Sequence, residues 1–372
     1  MQGCASSSPQ TKIDGIEQYF IDAQFAQVDS LIEPLQLFSL SNQVTQTLRQ
    51  DFLKSRMSKD YIMANRWLAN YINASDGGFE YRDNVTRIAQ ATFDDRSGNC
   101  LSLVLLTASL AEVLDVEVEF QEIEVPPVWD KQGDFYLVNG HINLRLIPKE
   151  TNNTYLVSKD AIQVDFLPER TMRGYAKKRI DKTTVMAMFY NNIAAESLVE
   201  GQYDLAYAYI KQSLLLKPEF VPALNTLGIL YRYKGLDDAA ETVYKLALSQ
   251  ESEDLNALYN YAVLLSNQNR LDEWAELHKT LELARIRNPY YYYDMAQQAY
   301  FDREYERALI WYKRAVEKAD YRHEFYFGLS RAYWATGDER RAQSNLEKAL
   351  SLSGDDMNKR RYQAKLQAMQ TH

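Results

Sequence analysis

The stretch Leu227-Gly228-Ile229-Leu230-Tyr231-Arg232-Tyr233-Lys234-Gly235-Leu236-Asp237-Asp238-Ala239-Ala240-Glu241-Thr242-Val243-Tyr244-Lys245-Leu246-Ala247 decides how the second half of the chain folds. Leu227 and Tyr231 stand four residues apart, and Ala240, Tyr244 and Ala247 stand four and three apart, the spacing of helices with one buried face. Lys234-Gly235 lies between the two runs, where a glycine C-cap ends one helix before the next begins. The pattern recurs. Ala206, Ala240, Ala275, Ala308 and Ala342 are separated by 34, 35, 33 and 34 residues. Met295-Ala296, Tyr312 and Ala315 repeat the motif, as do Leu329-Ser330, Tyr333, Leu346 and Ala349. Glu200-Gly201 and Thr336-Gly337 supply matching turns, and Pro218 and Pro289 lie near unit boundaries. The third unit departs from the pattern, with Trp274 beside the small position and an extra residue expected around Asn269.

A helix pair with a period of ~34 and small residues at the closest contact resembles the tetratricopeptide repeat. The spacing predicts about five such repeats over residues 183–372, an all-α TPR solenoid. One unit cannot bury its apolar face alone; stacked units share a core and leave a groove that takes a protein or peptide. Pro289-Tyr290-Tyr291-Tyr292-Tyr293 opens the fourth unit and reads either as an aromatic patch in that groove or as packing between helices. His278 and His323 read as packing or surface residues of repeat helices.

The first half reads differently. Residues from Ile13 to about Asn73 are expected to be helical, with Leu31, Leu35 and Phe38 on one face, until Asp76-Gly77-Gly78 breaks the pattern. Arg96-Ser97-Gly98-Asn99-Cys100 then leads into the apolar run Leu101–Ala111, a loop entering a buried helix with Cys100 at its first turn. A thiol at a helix N-terminus is biased toward its reactive thiolate, and the free N–H groups there suit an oxyanion. Beyond that helix the period changes to two. Val116–Val125 alternates as a half-buried strand, with Glu119, Glu122 and Glu124 on its wet face. Phe135–Val138, Asn139-Gly140 and His141–Leu146 read as a hairpin about a type I′ turn, placing His141, Asn143 and Arg145 on one strand face. Ala161–Phe166 is a further strand carrying Asp165, and the basic run Arg170, Arg173, Lys177, Lys178, Arg179 and Lys182 reads as a solvated linker helix over 171–182.

A helix-opening Gly-Asn-Cys, a Gly-His at a strand and an Asp in a following strand resemble the transglutaminase-like branch of the papain-like cysteine enzymes, over roughly residues 60–170. The resemblance implies an α+β domain over 12–170. It makes Cys100 the nucleophile, His141 the base and Asp165 the residue that orients the histidine, with Asp160 or Asn143 as alternative orienters. In this superfamily the chemistry spans acyl transfer, amide hydrolysis and peptide cleavage, and some members have lost it. The expected function is a cell-envelope cysteine hydrolase or acyltransferase acting on amide bonds, with the repeats recruiting substrate or partner. A non-catalytic TPR scaffold or assembly lipoprotein is the alternative. Independently of the family, Cys100 and His141 are the thiol and base this half can supply for amide attack.

Composition narrows the field further. With 42 basic against 51 acidic residues the net charge is -9, which argues against a nucleic-acid binder. Two cysteines, Cys4 and Cys100, make no disulfide framework, and no Cys/His cluster has metal-ligand spacing. No phosphate loop or calcium loop is present, so neither cofactor nor metal is expected. The start, Met1-Gln2-Gly3-Cys4-Ala5 followed by serines, resembles the end of a bacterial lipoprotein signal whose charged and apolar regions would lie upstream. By that resemblance residues 1–11 are a tether lipidated on Cys4, and Ala5 points to the outer membrane, facing the periplasm. A cytoplasmic protein follows instead if Met1 is the true start.

Overall fold

The computed structural model describes residues 13, 15–57, 62–73, 78–82, 85–132, 135–148, 161–166, 177–287, 289–353 and 356–370. The chain divides into two compact units, residues 1–126 with 140–271 and residues 127–139 with 272–372.

Among the described residues the first unit opens on 3-10 turns. Short 3-10 turns at Ile16–Tyr19, Asp22–Gln24 and Gln36–Phe38 are linked by extended backbone, correcting the expected helix over this stretch. Pro34 brings no backbone N–H, and Leu35 of the expected apolar face is 86% exposed. The main-chain groups of Ile21, Ala26 and Ile32 are met by side chains far along the sequence. Helix α1 (Asn42–Arg56) starts where Ser41 accepts from the Val44 N–H, and α2 (Ala64–Ile72) follows.

Strand β1 (Glu80–Tyr81) pairs in parallel with β2 (Ser97–Gly98), with α3 (Ala89–Asp95) between them. Helix α4 (Cys100–Val113) is the centre of this part. Every residue from Leu101 to Ala111 is buried, as expected of a helix that is apolar on all sides. Strands β3 (Glu117–Gln132), β4 (Phe135–Ile147), β5 (Ile162–Val164) and β6 (Lys177–Ile180) form one sheet in the order β5-β4-β3-β6. Three readings are corrected here. Asn139-Gly140 lies inside β4 rather than at a turn. Lys177–Ile180, read as part of a linker helix, is a strand antiparallel to β3, with Ile180 opposite Phe120. Glu119, read as wet, has a largely buried side chain ion-paired to Arg145 and Arg179.

The repeats are helix pairs. In the first unit α5 (Lys182–Val199) pairs with α6 (Tyr203–Leu216), α7 (Val221–Tyr233) pairs with α8 (Asp237–Gln250), and α9 (Leu255–Asn267) follows. The second unit holds most of α10 (Leu271–Arg287), and pairs α11 (Pro289–Phe301) with α12 (Tyr305–Lys318) and α13 (His323–Ala335) with α14 (Glu339–Leu352); α15 (Asp356–Gln370) packs on α14. The turn inside each pair carries a left-handed residue: Gly201, Gly235, Asn269, Arg303 and Gly337, each 34 positions after the last. One residue later the same hydrogen bond recurs, from the N–H of Gln202, Leu236, Arg270, Glu304 and Asp338 back to the carbonyl five residues earlier.

That register corrects the third repeat. Its turn contains no extra residue, and the small position after Ala206 and Ala240 is Trp274, not Ala275, which is exposed. Ala206, Ala240, Ala308 and Ala342 are all at 0% exposure, whereas Trp274 is half-buried and stacks on His278 of its own helix. Of the aromatic run, Tyr290 and Tyr292 are buried, and Tyr290 and Tyr293 pack on Phe325 at 5.0 Å between ring centres. They are packing residues. His323 meets the Tyr362 hydroxyl through Nδ1 at 2.9 Å.

Candidate functional site

The Gly98-Asn99-Cys100 stretch is shaped by local sterics and capping. A side chain on Gly98 would lie 2.8 Å from Ser102 Cβ and 3.2 Å from Thr92, so only glycine enters the helix by this path. Asn99 is the N-cap of α4. Its Oδ1 accepts from both the N–H and the hydroxyl of Ser102, and its Nδ2 donates to Thr86 Oγ1. Ser102 Oγ accepts from the Arg87 N–H, and the Thr86 N–H donates to Glu196 of α5 at 2.9 Å. Residues 85–88 are thereby strapped across the start of α4 and tied to the first repeat. Burial raises the Glu196 carboxyl, although its hydrogen bonds with Thr86 pull the other way. Cys100 is then the first residue of the helix, a free thiol that is only partly covered.

The sheet brings the other two residues. Leu144 lies opposite Val164 across the antiparallel β4–β5 pair, and continuing that register puts Asn143 opposite Asp165 on the other face. His141 shares that face with Asn143, two positions along the strand. His141 Nε2 lies 2.7 Å from Asp165 Oδ1, and Asn143 Nδ2 donates to Asp165 Oδ2 at 2.7 Å. The carboxylate therefore has one oxygen on the imidazole and the other on an amide that fixes its rotation. His141 is 3% exposed and Asn143 is at 0%. Burial is the largest single influence on His141 and opposes its charge. Hydrogen bonds with Asp165 and with the Cys100 side chain, helped by their charges, outweigh it and push the imidazole up to about 9. With Nε2 turned to Asp165, Nδ1 is the ring nitrogen left for the thiol.

The three residues read from the sequence, 41 and 24 positions apart, are thus neighbours. Asn143, weighed as an alternative orienter of the histidine, instead orients Asp165. The Ser102–Asn99–Thr86 network is absent from the sequence reading; Asn99 followed three residues later by Ser102 is the signal that carries it. Asp160 and Cys4 lie outside the described residues. Among the described residues no group of His, Cys, Asp and Glu side chains is arranged to hold a metal, and no helix is long and apolar enough to cross a membrane.

Residues 323–356 match the tetratricopeptide repeat family model. No curated protein matches the chain. Solved structures similar to part of it include MamA 41-end from Desulfovibrio magneticus RS-1, 19% identical over 45% of this chain and 94% of that one, with a TM-score of 0.26. Pseudomonas aeruginosa pilF is 13% identical over 47% of this chain and 80% of that one, with a TM-score of 0.29. TTC0263, a thermophilic TPR protein of Thermus thermophilus, is 20% identical over 48% of this chain and 98% of that one, with a TM-score of 0.29. The assignment of the repeats rests on the family match and on the helix-pair register. The C-terminal part of the chain is built of tetratricopeptide repeats, an architecture suited to holding other proteins.

Proposed function

We propose that the chain is a cysteine hydrolase or acyltransferase acting on amide bonds of a protein or peptide, joined to repeats that recruit the substrate or a partner. The observation that carries this reading is His141, buried, hydrogen-bonded to Asp165, with the Cys100 side chain close enough to help raise its pKa. The Cys100 sulfur attacks the amide carbonyl, and the N–H groups of Cys100 and Leu101, which the Asn99 cap leaves untouched, face the developing oxyanion. His141 gives its proton to the departing amine as the C–N bond breaks, then takes one from water or an incoming amine that attacks the thioester. Asp165, held by Asn143, keeps the imidazole in the tautomer this cycle needs. By its helix-opening cysteine and sheet-borne histidine and aspartate, the domain reads as transglutaminase-like.

A second reading is a non-catalytic scaffold in which the triad is a remnant, supported by the tetratricopeptide match over residues 323–356. With either reading we propose, from the Gly3-Cys4-Ala5 stretch, an outer-membrane location facing the periplasm with Cys4 lipidated, the alternative being cytoplasmic. Mass spectrometry of the native protein tests that part, and an unmodified Met1 would remove it.

The chemical test is the rate of Cys100 alkylation by iodoacetamide in a Cys4→Ser background. His141→Ala and Asp165→Asn are each expected to slow alkylation at pH 7 by about 10-fold or more. The dependence on His141 should vanish as pH rises through about 9, where the imidazole loses its proton. Equal rates in all three proteins would sink the enzyme and leave the scaffold.

A further inference from the structure

Residues 17–36 are attached to the first repeats in the way a bound peptide is. Ile16 and Leu37, at the two ends, are buried, but no side chain between them is. The stretch is held instead by polar and aromatic contacts, the polar ones mostly to its main chain. The Tyr231 hydroxyl accepts from the Ile21 N–H at 3.2 Å and donates to the Tyr19 carbonyl at 2.7 Å. Asp204 accepts from the Ala26 N–H at 3.0 Å. Tyr209 and Tyr190 clamp Ile32, one accepting from its N–H at 3.3 Å and the other donating to its carbonyl at 2.8 Å. Such contacts read the backbone whatever its sequence.

Three side chains of the stretch, Phe20, Asp22 and Phe25, are gripped as well. Asp22 Oδ1 accepts from the Tyr207 hydroxyl at 2.8 Å and from Lys211 Nζ at 2.6 Å, which lowers the carboxyl below its ordinary range. Phe25 stacks on Tyr207 with ring centres 3.9 Å apart and planes within 8°, and the Lys234 ammonium lies 5.2 Å from its centre. Phe20 meets the edge of Tyr207, and Lys211 sits over its ring. A carboxylate between two aromatic rings is therefore what this face selects: Phe20, Asp22 and Phe25.

We propose that this face of α5, α6 and α7 is an exchangeable peptide-binding site, filled in the free protein by the chain's own residues 19–32. It takes in trans a peptide that presents a carboxylate between two aromatic side chains. The proposal deepens the partner-recruiting part of the function above and is independent of the cysteine chemistry. Exchange is feasible because the segment gives up no buried side chain on leaving, while ordering its backbone costs entropy that release recovers. Leu37, at 0% exposure beside α4, marks where the released strand stays fixed.

The test uses the full chain and a fluorescently labelled synthetic peptide with the sequence of residues 17–34. Fluorescence anisotropy should show Asp22→Asn/Phe25→Ala, which loosens the resident segment, binding the probe about 10-fold or more tightly than wild type. Adding Lys211→Ala should abolish that gain. Probe binding no tighter in a double variant with an unchanged circular dichroism spectrum would overturn the proposal. Hydrogen exchange on the wild type covers the case of a variant that fails to fold. Amides of Ile21, Ala26 and Ile32 are expected to exchange about 100-fold faster than those of α7, and protection equal to that helix would overturn the proposal as well. Either failure leaves the Cys100 alkylation test untouched.

Discussion

The second and third repeats use the same turn and follow it with different side chains. In the second, Ala240, Tyr244 and Ala247 of α8 are all at 0% exposure. At the corresponding places of α10 stand Trp274, His278 and Leu281, each half-buried. Both turns are nonetheless built alike, with a left-handed Gly235 or Asn269 followed by the same hydrogen bond to the preceding helix. Turn geometry is therefore kept where the side chains that follow it change. The division between the two compact units falls inside this third repeat, between Leu271 and Asp272. An indole in place of a methyl group cannot enter the gap that alanine leaves between paired helices.

The sharpest way to break this comparison is to move the third repeat's residue into the second. Ala240→Trp is expected to destabilise the first unit by about 3 kcal/mol, since the site has no room to relax. Urea denaturation followed by circular dichroism measures it. A loss below about 1 kcal/mol would mean that the indole is tolerated in a paired helix, and Trp274 would no longer account for the third repeat. Gly228→Ala asks the same question from the opposite helix. A Cβ on Gly228 would strike the ring of Tyr244, and about 2 kcal/mol should be lost. The double variant Gly228→Ala/Tyr244→Leu should recover part of that loss, because the ring is what the methyl group strikes.

Trp274→Ala sharpens the comparison from the other side. A core tryptophan typically costs about 3–5 kcal/mol to remove. Trp274 is half-buried and rests on His278 of its own helix, with ring centres 4.2 Å apart, so the expected loss is about 1 kcal/mol or less. A core-sized loss in the same denaturation experiment would show that the indole has found an interior of its own.

The comparison also shows what the sequence could disclose. A contact that recurs is written several times, so Ala206, Ala240, Ala308 and Ala342 reveal the repeats even when one unit deviates. The same redundancy misleads at Trp274: the nearest small residue, Ala275, mimics the register, although the turn residue Asn269 is the better marker. The candidate site is written once. Its cysteine is legible because a helix-opening Gly-Asn-Cys is a local signal, and His141 and Asp165 because strand alternation fixes faces. Asn143 bonding to Asp165 depends on cross-strand register, which alternation alone does not provide. Asn139-Gly140 reads as a turn because its propensity is local, whereas the structure carries β4 straight through it. Residues 15–38 mislead for the opposite reason. Their conformation is imposed by tyrosines some 160–210 positions away, and no periodicity within the segment records that.

The smallest expected effect separates turn from interface most cleanly. If register is held by the left-handed residue, the turns should rank by how easily each side chain adopts that conformation. Arg303, at φ 63, bears the strain of a Cβ crowded against the backbone, and Arg303→Gly should stabilise by about 0.5 kcal/mol after the entropy of glycine is counted. Asn269, at φ 56, belongs to the residue types that tolerate this region, so Asn269→Gly should change stability by about 0.2 kcal/mol or less. Gly235→Asn, the reciprocal exchange in the second repeat, should be almost as quiet. If Asn269→Gly instead stabilised more than Arg303→Gly, the third turn would be strained, and the irregularity of that repeat would begin at its turn rather than at Trp274.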